Sequence, residues 1–292
     1  MDRFEGRIAV VTGGGTGMGR ELARQLSAEG CHVAICDVSE ENMVETRALC
    51  LDGAPDGTEI TTHVCDVSDE AQVLAFRDEV AEAHETEHVH LLFNNAGIGG
   101  GGSFVSGRRE DWDRTFAVCW YGVYYCSRAF LPLLVASEEA HLVNTSSVNG
   151  FWASLGPGHP HTAYSAAKFA VKGFSEALIT DLRLNAPHVK VSVVMPGHIG
   201  TSIALNTMTI LGRPVDAAVT ERAATFRNTA PTTAGRAATV ILDGVRADRW
   251  RILIGEDAHI VDATARDHPE EAYEPAFLER LHAQGAFQGV TS

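Results

Sequence analysis

Tyr164 and Lys168, in Tyr164-Ser165-Ala166-Ala167-Lys168, stand four residues apart, which puts a phenol and an ammonium on one face of a helix. A free phenol titrates near pH 10, so acid–base work at neutral pH needs a pKa lower by about two to three units, or roughly 3–4 kcal/mol. An ammonium close by in a dry site supplies part of that. The same spacing also describes a tyrosine packed beside a surface lysine, so the surroundings decide. Ser147, in Asn144-Thr145-Ser146-Ser147-Val148-Asn149-Gly150, ends a strand-like run. Its hydroxyl is placed either to polarise a carbonyl or hold an alcohol, or simply to cap a turn.

Thr12-Gly13-Gly14-Gly15-Thr16-Gly17-Met18-Gly19 joins the first strand-like run to the first helical one. Glycines let the backbone turn tightly and approach a pyrophosphate, while a helix N-terminus offers N–H groups and its positive dipole end. The spacing is GxxxGxG rather than GxGxxG, and purely steric turns also use such glycines. A nucleoside-triphosphate loop needs GxxxxGK followed by Ser or Thr, and Gly14 to Glu21 lacks both the lysine and the hydroxyl. Asp37 follows Gly19 by eighteen residues, suited to accept from an adenosine ribose and to repel a 2′-phosphate. Val38 and Ser39, not a base, come next. NAD is favoured over NADP. Asp66-Val67 and Asn94-Asn95-Ala96-Gly97 end the third and fourth strand-like runs, where they would line the same crevice.

The elements that must position these residues alternate. Strand-like runs at 7–12, 31–36, 59–64, 89–94, 141–146, 189–194 and 251–255 are separated by helical stretches near 17–29, 40–50, 68–86, 108–135, 162–185 and 232–246. Met18, Leu22 and Leu26 form an apolar stripe for a sheet to cover. Near-continuous apolar strands between helices indicate a parallel sheet covered on both faces, and right-handed crossovers make it doubly wound. This predicts an α/β, Rossmann-type single domain of about seven strands over residues 1–292. Two segments break the alternation: 198–231, read as a substrate loop, and the Gly-, Pro-, His- and aromatic-rich 148–163. The residues from 257 to 292 form a C-terminal extension.

Taken in order, Thr12-Gly-x-x-x-Gly-x-Gly19, Asp37, Asp66, Asn94-Asn-Ala-Gly97, Ser147, Tyr164-x-x-x-Lys168 and Pro196-Gly197-x-x-x-Thr201 resemble the short-chain dehydrogenase/reductase family over roughly residues 6–256. The resemblance implies hydride exchange between a nicotinamide and an alcohol or ketone. Tyr164 would be the acid/base, Ser147 would orient the substrate oxygen, and Lys168 would lower the phenol pKa and hold the nicotinamide ribose. NAD would be held by Gly13, Thr16, Gly17, Met18, Gly19, Asp37, Asp66, Val67, Asn94, Ala96, Gly97, Tyr164, Lys168, Pro196, Gly197, Ile199 and Thr201. Asp66-Val67 would take the adenine and Thr201 the carboxamide. The chain departs from the family in two places. The gap from Ser147 to Tyr164 is about four residues longer than usual, and Cys119 stands where the family has an active-site Asn. That Asn is thought to hold a water linking the lysine to solvent.

Composition narrows the function classes. The chain has 292 residues and a formal charge of −15, with three lysines at 168, 172 and 190 and no basic cluster, which disfavours nucleic acid. No run approaches the ~18 apolar residues of a membrane span, and the polar start Met1 to Arg7 does not read as a signal peptide, so a cytoplasmic protein is expected. Six cysteines without a CxxC read as free thiols. His84-Glu85-Thr86-Glu87-His88 matches HExxH but lies at a helix end in an acidic surface stretch, and no metal is expected. His159 and His161 read as substrate-loop histidines. Phe151, Trp152, Leu155 and the apolar 203–211 segment suggest a bulky hydrophobic alcohol. The helices at 108–135 and 162–185 resemble those that build the family's homo-oligomers, a tetramer or dimer. Two alternatives stay open: a 3-oxoacyl-carrier-protein reductase, which usually prefers NADP, and a catalytically weak NAD-binding sensor.

Overall fold

β-branched and aliphatic runs form strands where the sheet buries them, and Ser39, Asp69, Asp216 and Thr233 each cap the helix that begins after it. β1 (Ile8–Thr12) passes through the glycine-rich turn into α1 (Gly17–Ala28), followed by β2 (His32–Asp37), α2 (Glu40–Gly53), β3 (Ile60–Val64), α3 (Glu70–Ala83) and β4 (Leu91–Asn94). α4 (Arg109–Phe116), a π-helical turn (Ala117–Tyr121) and α5 (Gly122–Val135) run on into β5 (Ala140–Thr145). A 3-10 turn (Val148–Gly150), α6 (Thr162–Asn185) and β6 (Val189–Pro196) follow. Beyond them lie β7 (Ile199–Gly200), α7 (Ile203–Ile210), α8 (Ala217–Thr229), β8 (Thr232–Thr233) and α9 (Ala234–Arg246). The chain closes with β9 (Arg251–Ile254), α10 (Glu256–Asp267) and α11 (Pro275–Ala283). The structure is a computed structural model describing residues 1–154 and 159–286. Leu155 and Gly156-Pro157-Gly158 of the 148–163 segment, and residues 287–292 of the extension, lie outside the described residues.

Seven strands pair in parallel in the order β3-β2-β1-β4-β5-β6-β9. The fold is therefore the doubly wound, Rossmann-type single domain that the alternation predicts. The order reverses between β1 and β4, and the crevice at their C-terminal ends is where open α/β sheets hold ligands. Strand alternation feeds two core layers. Val11, Val33 and Ile35 pack with Leu22 and Leu26 of α1 and Ile241 of α9 on one face. Val10, Ala34 and Leu92 pack with Phe76 of α3 and Phe130 of α5 on the other. A third cluster joins Trp152 to Val261, Phe277 and Leu281 of the C-terminal helices.

Three features depart from the sequence reading. The long helix expected over 108–135 contains the π-helical turn, which holds Cys119. The 198–231 segment contains α7 and α8 between the two short strands β7 and β8. The C-terminal extension, to which the sequence reading assigns no elements, carries α10 and α11.

Candidate active site

Glycine is required in the turn after β1 by close approach as well as by conformation. Gly13 and Gly17 adopt φ of +65° and +57°, the left-handed region that a Cβ disfavours. A Cβ on Gly13 would lie 2.8 Å from Ala96 Cα, and one on Gly19 would lie 2.1 Å from the Gly13 carbonyl oxygen. The turn is pinned to the end of β4: Thr12 Oγ1 accepts the amides of Asn95 and Ala96, both at 3.0 Å, and Asn95 Nδ2 donates to the Thr12 carbonyl at 3.0 Å. Thr16, the residue before α1, makes no capping hydrogen bond, so the first N–H groups of α1 keep their donors for an anion.

A cleft of about 430 Å³ opens here, lined among others by Gly13, Thr16, Gly17, Met18, Asp37, Asp66, Val67, Ala96, Gly97 and Thr201. Its size, its uncapped helix start and the buried, unpartnered Asn95 Oδ1 fit a dinucleotide. A separate recess of about 570 Å³ beside Met1–Arg7 and Glu139 sits at the N-terminal end of β1, away from the glycine turn. Asp37 Oδ2 accepts the Gly15 amide at 3.0 Å and Oδ1 accepts the Ser39 amide at 3.1 Å, which holds the carboxylate at the cleft rim. Arg20, in the first turn of α1, is committed to the Gly15 carbonyl at 2.7 Å and Glu45 at 2.7 Å.

Several expected cofactor residues stand back from the cleft. Asn94 turns its side chain into the core, where Nδ2 donates to Asn144 Oδ1 at 2.8 Å and Ser127 Oγ at 2.9 Å. Its neighbour Asn95 lines the cleft instead. Gly19 serves packing under Gly13. Pro196 pairs with Ile254, Gly197 packs against the Asp257 carboxylate, and Ile199 is buried in the core. Asp66 does reach the cleft, but Arg114 grips its Oδ2 at 2.6 Å. Burial raises the Asp66 carboxyl, yet hydrogen bonds from Arg114 and Ser68 outweigh it and hold the group below its usual range. Arg114 has no sequence signal, because it lies forty-eight residues from its partner.

Tyr164 and Lys168 project from the first turns of α6, and Ser147 follows β5. Ser147 Oγ accepts the Asn149 amide at 3.1 Å, and the serine stands close enough to Tyr164 to act on its phenol. Lys168 Nζ, 5.4 Å from the Tyr164 ring centroid, donates to the Thr145 carbonyl at 2.9 Å. Ser146 Oγ donates to the Lys168 carbonyl at 2.7 Å, locking helix to strand end. Gly97 links this cluster to the cleft: a Cβ there would lie 3.6 Å from Lys168 Nζ and 3.8 Å from Cys119 Sγ. Cys119 therefore sits beside the lysine, its thiol donating to the Ile98 carbonyl at 3.2 Å. Burial pushes the Tyr164 phenol up, Cys119 adds to this, and Ser147 opposes it. Burial also lowers the Lys168 ammonium. The polypeptide alone thus keeps Tyr164 protonated, the reverse of the lowering that base chemistry requires. His161, three residues before Tyr164, packs its ring 4.6 Å from the phenol, and burial holds it neutral with a pKa of about 4.

α7 closes over the cleft. Asn206 Nδ2 donates to Thr16 Oγ1 at 2.9 Å, Thr207 Oγ1 accepts the Gly99 amide at 2.8 Å, and Arg213 pairs with Asp111 of α4. Ile203, Leu205 and Ile210 face the cleft from this helix. Trp152, expected at the substrate, is instead buried in the third cluster with 2% exposure. α7 thus adds apolar lining beside Met18, Val67, Ile98 and Val118. His84 and His88 do not share a helix face, because α3 ends at Ala83 and His84 Nε2 pairs with Thr61 Oγ1 at 3.0 Å. Among the described residues no three His, Cys, Asp or Glu side chains are grouped to hold a metal. Among the described residues no helix is long and apolar enough to cross a membrane.

The family described as short chain dehydrogenase matches residues 7–209. A Mycobacterium tuberculosis protein assigned as an oxidoreductase, SadH, is 36% identical over 271 residues, spanning 91% of this chain and 92% of its own. Levodione reductase of Leifsonia aquatica is 33% identical over 207 residues, 70% of this chain and 74% of its own. The crystal structure of a short-chain dehydrogenase/reductase from Burkholderia phymatum in complex with NAD superposes with a TM-score of 0.80 at 32% identity, covering 93% of this chain and 95% of its own.

Proposed function

The chain belongs to the short-chain dehydrogenase/reductase family, and on that premise we propose that it interconverts a secondary alcohol and its ketone with NAD as cofactor. The observation that carries this reading is the convergence of Ser147, Tyr164 and Lys168 beside Gly97 at the cleft, with Lys168 Nζ 5.4 Å from the Tyr164 ring centroid and Ser147 acting on the Tyr164 phenol. Bound NAD supplies a hydride acceptor in oxidation, a hydride donor in reduction, and in its oxidised form a positive charge that opposes the effect of burial on Tyr164.

In the reductive direction Tyr164, held protonated by burial, gives its proton to the carbonyl oxygen while Ser147 holds that oxygen in place. In oxidation the same phenol oxygen takes the alcohol proton back. Lys168, anchored on the Thr145 carbonyl, keeps a positive charge near that oxygen and donates toward the cofactor ribose. Gly13, Thr16, Gly17 and Met18 frame the pyrophosphate, Asp37 takes the adenosine ribose, and Asp66 and Val67 border the adenine. Ala96 and Gly97 form the floor, and Thr201 lies against Gly17 at the nicotinamide end.

The apolar face of α7 favours a hydrophobic substrate. Asp37, with Arg20 tied to Glu45, weighs against an NADP-preferring acyl-carrier reductase. The exposed Tyr121, Tyr124 and Phe169 on the helical stretch around α5 and on α6 support a homo-oligomer. Turnover of a panel of secondary alcohols and ketones with NAD(H), run beside NAD titration, tests the reading. NAD binding without turnover of any of them would make the protein a sensor instead.

A further inference from the structure

The segment from Ser147 to Ser154 leads away from the serine at the candidate site, and it is held from behind. Asn149 starts the connection: its amide donates to Ser147 Oγ at 3.1 Å, and its Nδ2 donates to the carbonyls of Trp152 at 3.1 Å and Ser154 at 2.9 Å. The Trp152 indole N–H then donates to the Ala272 carbonyl at 2.7 Å, 120 residues away, with its ring 5.5 Å from that of Phe277. Ala153 donates its amide to the Tyr273 hydroxyl at 3.2 Å. The C-terminal helices are fixed in turn to the sheet. Asp257 of α10 accepts the His198 amide at 2.6 Å, and Asp262 pairs with Arg251 of β9. All of these C-terminal partners lie beyond the segment 7–209 that matches the short chain dehydrogenase description.

A strand-end serine needs a fixed direction to hold a substrate oxygen, and the segment leading away from it has little regular structure of its own. A buried indole hydrogen bond is stiff and directional, so it transmits the position of one element to another. We propose that Trp152 and Tyr273 are positioning residues, through which the α10–α11 pair backs the 147–154 segment and sets the width of the substrate side of the site. The proposal rests on the dehydrogenase reading for its substrate, and on the contacts alone for its coupling. With the backing in place the wall beside Ser147 cannot retreat, and bulky groups on the carbinol carbon are limited on that side. With it loosened, the wall yields: bulky substrates gain relative to small ones, and both lose some binding.

The test separates coupling from selectivity. Hydrogen exchange on the full chain is measured over 147–154 and over 13–19 in the wild type, in Trp152→Phe, which keeps the buried ring, and in Tyr273→Phe, which alters an exposed side chain and leaves the core intact. Both variants are expected to speed exchange over 147–154 by about tenfold and to leave 13–19 and NAD affinity within twofold. In turnover, both should raise KM for a small secondary alcohol about three- to tenfold with kcat nearly unchanged, and raise the bulky-to-small preference in kcat/KM. Unchanged exchange over 147–154 in Tyr273→Phe overturns the coupling, whatever the enzyme turns over. Faster exchange with unmoved KM and preference overturns the selectivity role. Faster exchange in a protein that turns over no alcohol or ketone would leave the coupling standing and refute the dehydrogenase reading.

Discussion

The Asp37 carboxylate accepts the Gly15 amide at 3.0 Å, so the acidic group at the end of β2 is oriented by the same glycine turn that frames the cleft. A 2′-phosphate placed at this rim meets a fixed negative charge, and Arg20 is held by Glu45 at 2.7 Å. Like charges at such range cost about 2–3 kcal/mol near a protein surface, a roughly 100-fold effect on affinity. NAD is expected to exceed NADP by about that factor in kcat/KM, and Asp37→Ser to shrink the ratio at least tenfold. Equal use of both cofactors by the wild type would contradict the assignment.

Cys119 occupies the π-helical turn and spends its thiol on the Ile98 carbonyl at 3.2 Å. A thiol is a weak hydrogen-bond partner and offers Lys168 little. Cys119→Ala should therefore lower kcat by less than about threefold, and Cys119→Asn should preserve or raise it. Steady-state rates at saturating cofactor, with circular dichroism as the fold control, decide this. Abolished turnover in a folded Cys119→Ala protein would give the thiol a direct chemical role.

Acid should destabilise the fold through two buried imidazoles. Burial is the main cause for both: His90, with Arg7 nearby, is held down to about 4, and His141, beside the N-terminal ammonium, to about 3. Both folded values lie below the unfolded 6.5. The unfolded chain therefore binds protons first, and stability is full above pH 6.5 and falls as pH drops toward 4. By pH 5 the loss reaches about 2 kcal/mol for each residue. Urea unfolding at pH 7 and pH 5 measures it, and His141→Gln should flatten the dependence. An unaltered slope in that variant would remove His141 from the explanation.

The parts of this protein that were legible from sequence are those with local causes. The glycine turn follows from φ and close approach, the strands from runs buried on both faces, and Tyr164 with Lys168 from helical spacing. The misread parts depend on distant partners. Asn94 could not be told from Asn95 until Asn144 and Ser127 were seen to claim it. Nothing local in Trp152 points to Ala272, so its indole read as substrate lining rather than as a core anchor. α8 escaped notice because it buries no residue and leaves no apolar period to read. The resemblance implies a Tyr164 phenol lowered by Lys168, but in the polypeptide alone burial pushes it up, with Ser147 opposing.

The central claim is that Tyr164 transfers the proton. Tyr164→Phe removes the hydroxyl while keeping the ring against His161 and Lys168. Loss of a general acid–base group of this kind costs about 10²–10⁴-fold in rate. The decisive measurement is kcat with NAD and the best secondary alcohol, together with NAD affinity, for wild type and Tyr164→Phe. A fall in kcat of at least 100-fold with NAD affinity within twofold is expected, whereas retention of more than a tenth of wild-type kcat would contradict the account.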